Sequence, residues 1–164
     1  KKPVKIKEFL SIHQPIAKGL LSQAKAMPGA ETLVRWCFKN DLPMALVTSS
    51  TSASVAYKSS HHSWLELITN RVQGDDEALK EGKPAPDPFL LAAKKLEVEP
   101  KSCWAFEDSN SGTKAALAAG CQVWVLNDEE TDEKKDERDS ASNPHKIGHL
   151  NEVVYELEKA IKYK

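Results

Sequence analysis

The sequence predicts an α/β fold built on a parallel sheet, and three observations carry that prediction. Short runs without a polar residue, at 43–47, 103–106 and 123–126, alternate with segments whose apolar residues recur at helical spacing. Runs of that kind suit strands buried on both faces, as happens when helices cover both sides of a sheet. The chain of 164 residues is also long enough to bury the core of one such domain without staples.

Each element follows from local pattern. From 9 to about 26, Phe9, Ile12, Ile16, Leu20 and Leu21 recur as on one face of an amphipathic helix, which Pro28 and Gly29 end. A second helix is predicted over 30–39, with Leu33, Val34, Cys37 and Phe38 as its buried stripe. The strand at 43–47 runs into a hydroxyl-rich stretch, 48–54, and then a helix through Val55, Ala56 and Tyr57. Residues 65–72 form a weaker strand candidate, closed by the turn Gly74-Asp75-Asp76. Pro86-Asp87-Pro88 opens a helix through Leu90, Leu91, Ala93 and Leu96. The strand at 103–106 is followed by a helix over 113–119, which Gly120 caps, and by the last strand at 123–126. Residues 127–143 mix charges of both signs, as a solvated loop does. Val153, Leu157 and Ile161 mark a closing helix, and there is no internal repeat.

Composition narrows the function. A hydrophobic share of 40% and a charged share of 29% are those of a soluble globular protein. With 23 basic and 24 acidic residues the net charge is -1, which gives no electrostatic reason to expect nucleic acid or a membrane surface as partner. Cys37, Cys103 and Cys121 are odd in number, widely spaced and without a CxxC pair. They are expected to be buried small hydrophobes in a reducing compartment rather than zinc ligands or disulfides. No apolar run approaches the roughly 20 residues of a membrane span, and the basic start lacks a signal-type apolar core. The expected location is cytoplasmic, or a chloroplast had a transit peptide been removed.

In an open parallel sheet, ligands bind outside the carboxyl ends of the strands. The first strand delivers Thr48, Ser49 and Ser50 there. A hydroxyl followed by free backbone N–H groups makes an anion pocket, although hydroxyls also cap helices. The strand ending at Phe106 delivers Glu107 and Asp108, two adjacent carboxylates that suit Mg²⁺ or, in the plainer alternative, a helix N-cap. Lys83 stands in Gly82-Lys83-Pro84-Ala85-Pro86, where prolines stiffen the loop that presents it. Alone it could be a solvated lysine. Together, hydroxyl, fixed cation and acidic pair are the parts a phosphoryl-transfer site needs.

The stretches PMALVTSS, GDDEALKEGKPAPDPFLLAAKKL and CWAFEDSNSGTKAALAAGCQVWVL resemble the second, third and fourth motifs of the haloacid dehalogenase superfamily. GKPAPDPF and FEDSNSG carry the flavour of its β-phosphoglucomutase and sugar-phosphate phosphatase branch. The resemblance covers 27–126 and implies a Rossmann-like sheet flanked by helices. Residues 1–26 would be the terminal helix of a helical cap, and 27–164 the core. It implies a Mg²⁺-dependent phosphatase or phosphomutase acting on a small phosphorylated metabolite. Thr48 and Ser49 would bind the phosphoryl group, Lys83 would bridge it to the nucleophile, and Asp108 with Glu107 would hold Mg²⁺.

The first motif of that family, a strand ending in Asp-x-Asp that supplies the nucleophile and the general acid–base, has no match. Asp41 is the one aspartate upstream of Thr48, and it precedes the second-motif strand. The chain is therefore expected to begin inside the cap and to be inactive alone. The vacant slot would leave its neighbours roughly 9–10 Å apart, twice the strand spacing. Either the remaining strands close up, or an upstream segment or partner chain fills it. The alternative is a catalytically inactive module that binds phosphate or a protein.

Overall fold

In a computed structural model, residues 5–126 and 144–162 are described, the last two as backbone alone. The order is α1 (Ile6–Leu21), α2 (Ala30–Lys39), β1 (Ala45–Val47), α3 (Ser52–Lys58), β2 (Asn70–Val72), α4 (Asp87–Lys95), β3 (Trp104–Glu107), α5 (Asn110–Ala118), β4 (Gln122–Leu126), β5 (His145–Ile147) and α6 (Leu150–Lys162). All strand pairs are parallel, as expected.

The strands form two sheets, β1-β2 and β3-β4-β5. Alternation along β3 and β4 feeds two helical layers. Ala105, Val123 and Val125 pack with Phe89 of α4 and with Ala115 and Ala116 of α5. Trp104, Phe106, Trp124 and Leu126 turn the other way, onto a core where Leu33 and Cys37 of α2 meet Leu150 and Val153 of α6. Val47 joins the α4/α5 core, which brings β1 alongside the β3 sheet. Yet β1 and β3 share no ladder among the described residues.

Several boundaries moved, each for a local reason. Helix α1 starts at Ile6 and ends at Leu21, short of the expected 26, where the Ser22 N–H bonds the Lys18 carbonyl and the Gln23 N–H the Leu20 carbonyl. The weak strand at 65–72 is a 3-10 turn over Ser63–Leu67, with strand only at Asn70–Val72. Trp64 and Ile68 are buried, so apolar content there reflects a packed turn. Helix α5 begins three residues before its expected start, since Ser109 accepts the Gly112 N–H as N-cap. Strand β5 was missed: His-Lys-Ile has one buried residue and no period to read. The charged segment 127–143 lies outside the described residues.

All three cysteines are free. Burial pushes the Cys37 and Cys121 thiols up to about 11, as expected of structural thiols. The stripe of α1 differs from expectation: Ile6, Phe9, Ile12, Ile16 and Leu20 are all exposed, and no residue of that helix is buried. The helix lies against α3, where the Lys18 ammonium is 4.9 Å from the Tyr57 ring centre. Among the described residues, no helix is long and apolar enough to cross a membrane.

Val153 is fully buried where α6 meets α2. Val153→Ala should lower unfolding free energy by about 2 kcal/mol in urea titrations. Glu158→Ala, exposed on the same helix, should change it by less than about 0.5 kcal/mol.

Candidate functional site

The carboxyl ends of β1 and β3 converge on one side chain. Lys83 donates to the Val47 carbonyl at 3.2 Å and forms an ion pair with Glu107. The two side chains are only 8% and 7% exposed. The Phe89 ring, 5.1 Å from the ammonium, supplies a further wall. The loop that presents Lys83 is braced by a bond from the Ala85 N–H to the Gly82 carbonyl, and Pro86 caps α4 behind it.

Glu107 owes its orientation to the strand period. It shares the face of Ala105 and so turns under the first turn of α5. Ser109 Oγ donates to its second oxygen at 3.1 Å while accepting the Gly112 N–H at 3.1 Å. Gly112 makes this possible, because a Cβ there would overlap the carboxylate. Both oxygens of Glu107 are thus engaged, one by Lys83 and the other by Ser109.

Thr48, Ser49, Gly74, Lys80 and Lys83 line a cavity of about 240 Å³ at this end of the sheet. Thr48 Oγ1 accepts the Ser50 N–H at 3.1 Å, which leaves the hydroxyl proton to donate elsewhere. The Ser49 N–H makes no hydrogen bond among the described residues. The loop is stitched to the turn after β2: the Gly74 N–H donates to the Ser50 carbonyl at 2.9 Å, and a Cβ on Gly74 would overlap the Ser49 carbonyl. Asp75 extends the stitching, its carboxylate accepting from the Ser52 N–H and Oγ at 2.7 Å each. These bonds hold its pKa below the ordinary 3.8. Asp76 is likewise lowered, first by Lys95, whose ammonium donates to it at 2.6 Å.

Thr48, Ser49 and Lys83 therefore meet at one cavity, and Glu107 meets Lys83 beneath it. Asp108 stands apart and exposed. No group of three His, Cys, Asp or Glu side chains that could hold a metal occurs among the described residues. Mg²⁺ is commonly held by one or two carboxylates with phosphate and water. Asp108 fits that requirement with a free carboxylate, whereas Glu107 would reach a cation only by exchanging Lys83 or Ser109. Sequence reasoning missed the Lys83–Glu107 pairing, and it missed Lys80, Gly74 and Gly112. The two glycines could be read only once their neighbours were known.

Removing one partner of the buried pair strands the other's charge. Lys83→Met should cost about 3–5 kcal/mol in urea unfolding, and adding Glu107→Gln should recover most of it. A double variant no better than the single would show that the pair is not the stabilising unit. For the Asp75 tether the depressed pKa sets the sign. Its contribution is complete above pH 3.8 and is lost as pH falls through the lower folded value. Unfolding measured from about pH 5 to 2 should show a shallower loss in Asp75→Asn than in the parent.

A family model described as haloacid dehalogenase-like hydrolase matches residues 8–120. Among curated relatives, the chain is 38% identical over 121 residues to a bifunctional riboflavin kinase/FMN phosphatase of Arabidopsis thaliana, covering 74% of this chain and 32% of that protein. It is also 38% identical over 137 residues to a Drosophila melanogaster protein named probable pseudouridine-5′-phosphatase, covering 81% and 59%. The chain thus spans between a third and three fifths of the relatives it matches. A HAD family hydrolase from Deinococcus radiodurans, solved with bound phosphate and sodium, superposes with a TM-score of 0.75 at 22% identity, over 96% of this chain and 70% of that one. That likeness supports the fold. With well over half of its residues inside the family match, the chain belongs to the haloacid dehalogenase-like hydrolases.

Proposed function

We propose that this chain is the phosphate- and Mg²⁺-handling part of a phosphatase, or a phosphomutase, acting on a small organic phosphomonoester. The observation that carries the reading is the cavity at the strand ends, where a free hydroxyl proton, a free amide and a loop-held lysine face one volume. Thr48 Oγ1 and the Ser49 N–H would donate to phosphate oxygens. The Lys83 ammonium would offset charge building on the transferring group. Asp108 would hold Mg²⁺, with Glu107 in support, and the ion would polarise the phosphoryl oxygens when bound.

No aspartate lines the cavity among the described residues. In this reading an aspartate arrives on a further strand, from an upstream segment or a partner chain. Two facts favour the space between β1 and β3 as its seat. Each of these strands has a single partner among the described residues, so each keeps an unpaired edge. Their ends are also tied by Lys83, which would then lie beside the incoming carboxylate. Three free thiols suit a reducing compartment such as the cytoplasm. The phosphatase names of the relatives favour phosphomonoesters as the substrate class, and neither nucleic acid nor membrane enters this reading.

Turnover of p-nitrophenyl phosphate by the native protein, with and without Mg²⁺, tests this. Metal-dependent turnover that Asp108→Ala abolishes, with the circular-dichroism spectrum unchanged, is the expected result. Full activity in Asp108→Ala would remove the metal assignment. Phosphate binding without turnover in the native protein would favour the alternative, a nucleophile-less binding module.

A further inference from the structure

Among the described residues, Lys83 and Lys80 are the two charged side chains lining the cavity, and no carboxylate lines it. The Lys83 charge is already answered by Glu107, with both groups buried. That pair turns its ammonium to the cavity but carries no net charge, so it offsets a bound anion only in part. Lys58 donates to Ser50 Oγ at 3.0 Å, but it is not part of the lining. Lys80 is different. It is exposed, it lines the cavity, and it pairs with no carboxylate among the described residues. Glu77 and Glu81 flank it in the chain, yet both are exposed and neither lines the cavity.

A phosphomonoester carries about -1.5 to -2 charge at neutral pH. Amide and hydroxyl donors orient such a group but do not balance its charge; Mg²⁺ on Asp108 would leave about one positive charge, and the Lys83–Glu107 pair adds none, so the balance stays unmet. We infer that Lys80 is a second phosphate-binding cation of this site, closing on the phosphate from the solvent side while Lys83 acts from beneath. The inference rests on the cavity being a phosphate site, as proposed above, and adds a residue to it.

Exposure determines what the contact is worth. An ammonium in water contributes modestly, and salt screens it, whereas a buried pair is screened much less. Lys80 should therefore set affinity for the anion in a salt-dependent way without contributing to stability.

The test is titration of the full chain with inorganic phosphate in the presence of Mg²⁺, followed by calorimetry at low and high salt. Lys80→Gln should weaken binding about two- to fivefold at low salt, the range of an exposed ion pair. The difference should shrink at high salt, and Lys80→Arg should restore affinity. Lys94→Gln, an exposed lysine of α4 outside the lining, controls for net charge and should change binding little. Absence of phosphate binding in the parent chain would remove the phosphate reading itself. Parent binding that Lys80→Gln leaves unchanged, or that Lys94→Gln weakens equally, would overturn the inference about Lys80 alone.

Discussion

The buried ion pair between Lys83 and Glu107 is the constraint around which this end of the molecule is arranged. Two charges at 8% and 7% exposure are tolerable only when each answers the other and the remaining hydrogen-bonding capacity is met. That condition explains the surroundings. A proline-braced loop holds the ammonium in place, and the Val47 carbonyl accepts a hydrogen bond from it. Ser109 serves the second carboxylate oxygen, and residue 112 must lack a side chain. The pair also joins two sheets that share no ladder among the described residues.

Around this pair the anion loop is fixed by a separate device. Asp75 holds Ser52 through two short bonds, and the turn after β2 fits against Ser49 because Gly74 has no side chain. Residues 48–52 are thereby shaped by a neighbouring strand's turn as well as by their own conformation. A cradle of backbone donors is useful only when its geometry is set before the ligand arrives, and here it is set from two sides.

Much of this was legible in the sequence because it depends on short-range pattern. Apolar runs located β1, β3 and β4, and Pro86-Asp87-Pro88 located the start of α4. The strand-end rule placed Thr48, Ser49 and Glu107 at one edge. What escaped depends on long-range partners. Nothing local to Lys83 or Glu107, 24 residues apart, says that they pair. The stripe on α1 was read correctly as a pattern, but pattern alone does not supply an element to bury it. Strand β5 is too short and polar to carry a signal of its own.

The alternation along β3 has a consequence for how this segment can change. Ala105 and Glu107 face the α4/α5 layer while Trp104 and Phe106 face the α2/α6 layer. Substitutions that respect size can be absorbed one position at a time. The loss or gain of a single residue within this strand cannot, since it would send an aromatic ring toward Gly112 and a carboxylate into the tryptophan layer. The segment can therefore drift in composition but not in length, and descendants of this chain should keep the same count of residues between Trp104 and Gly112 however far their sequences diverge.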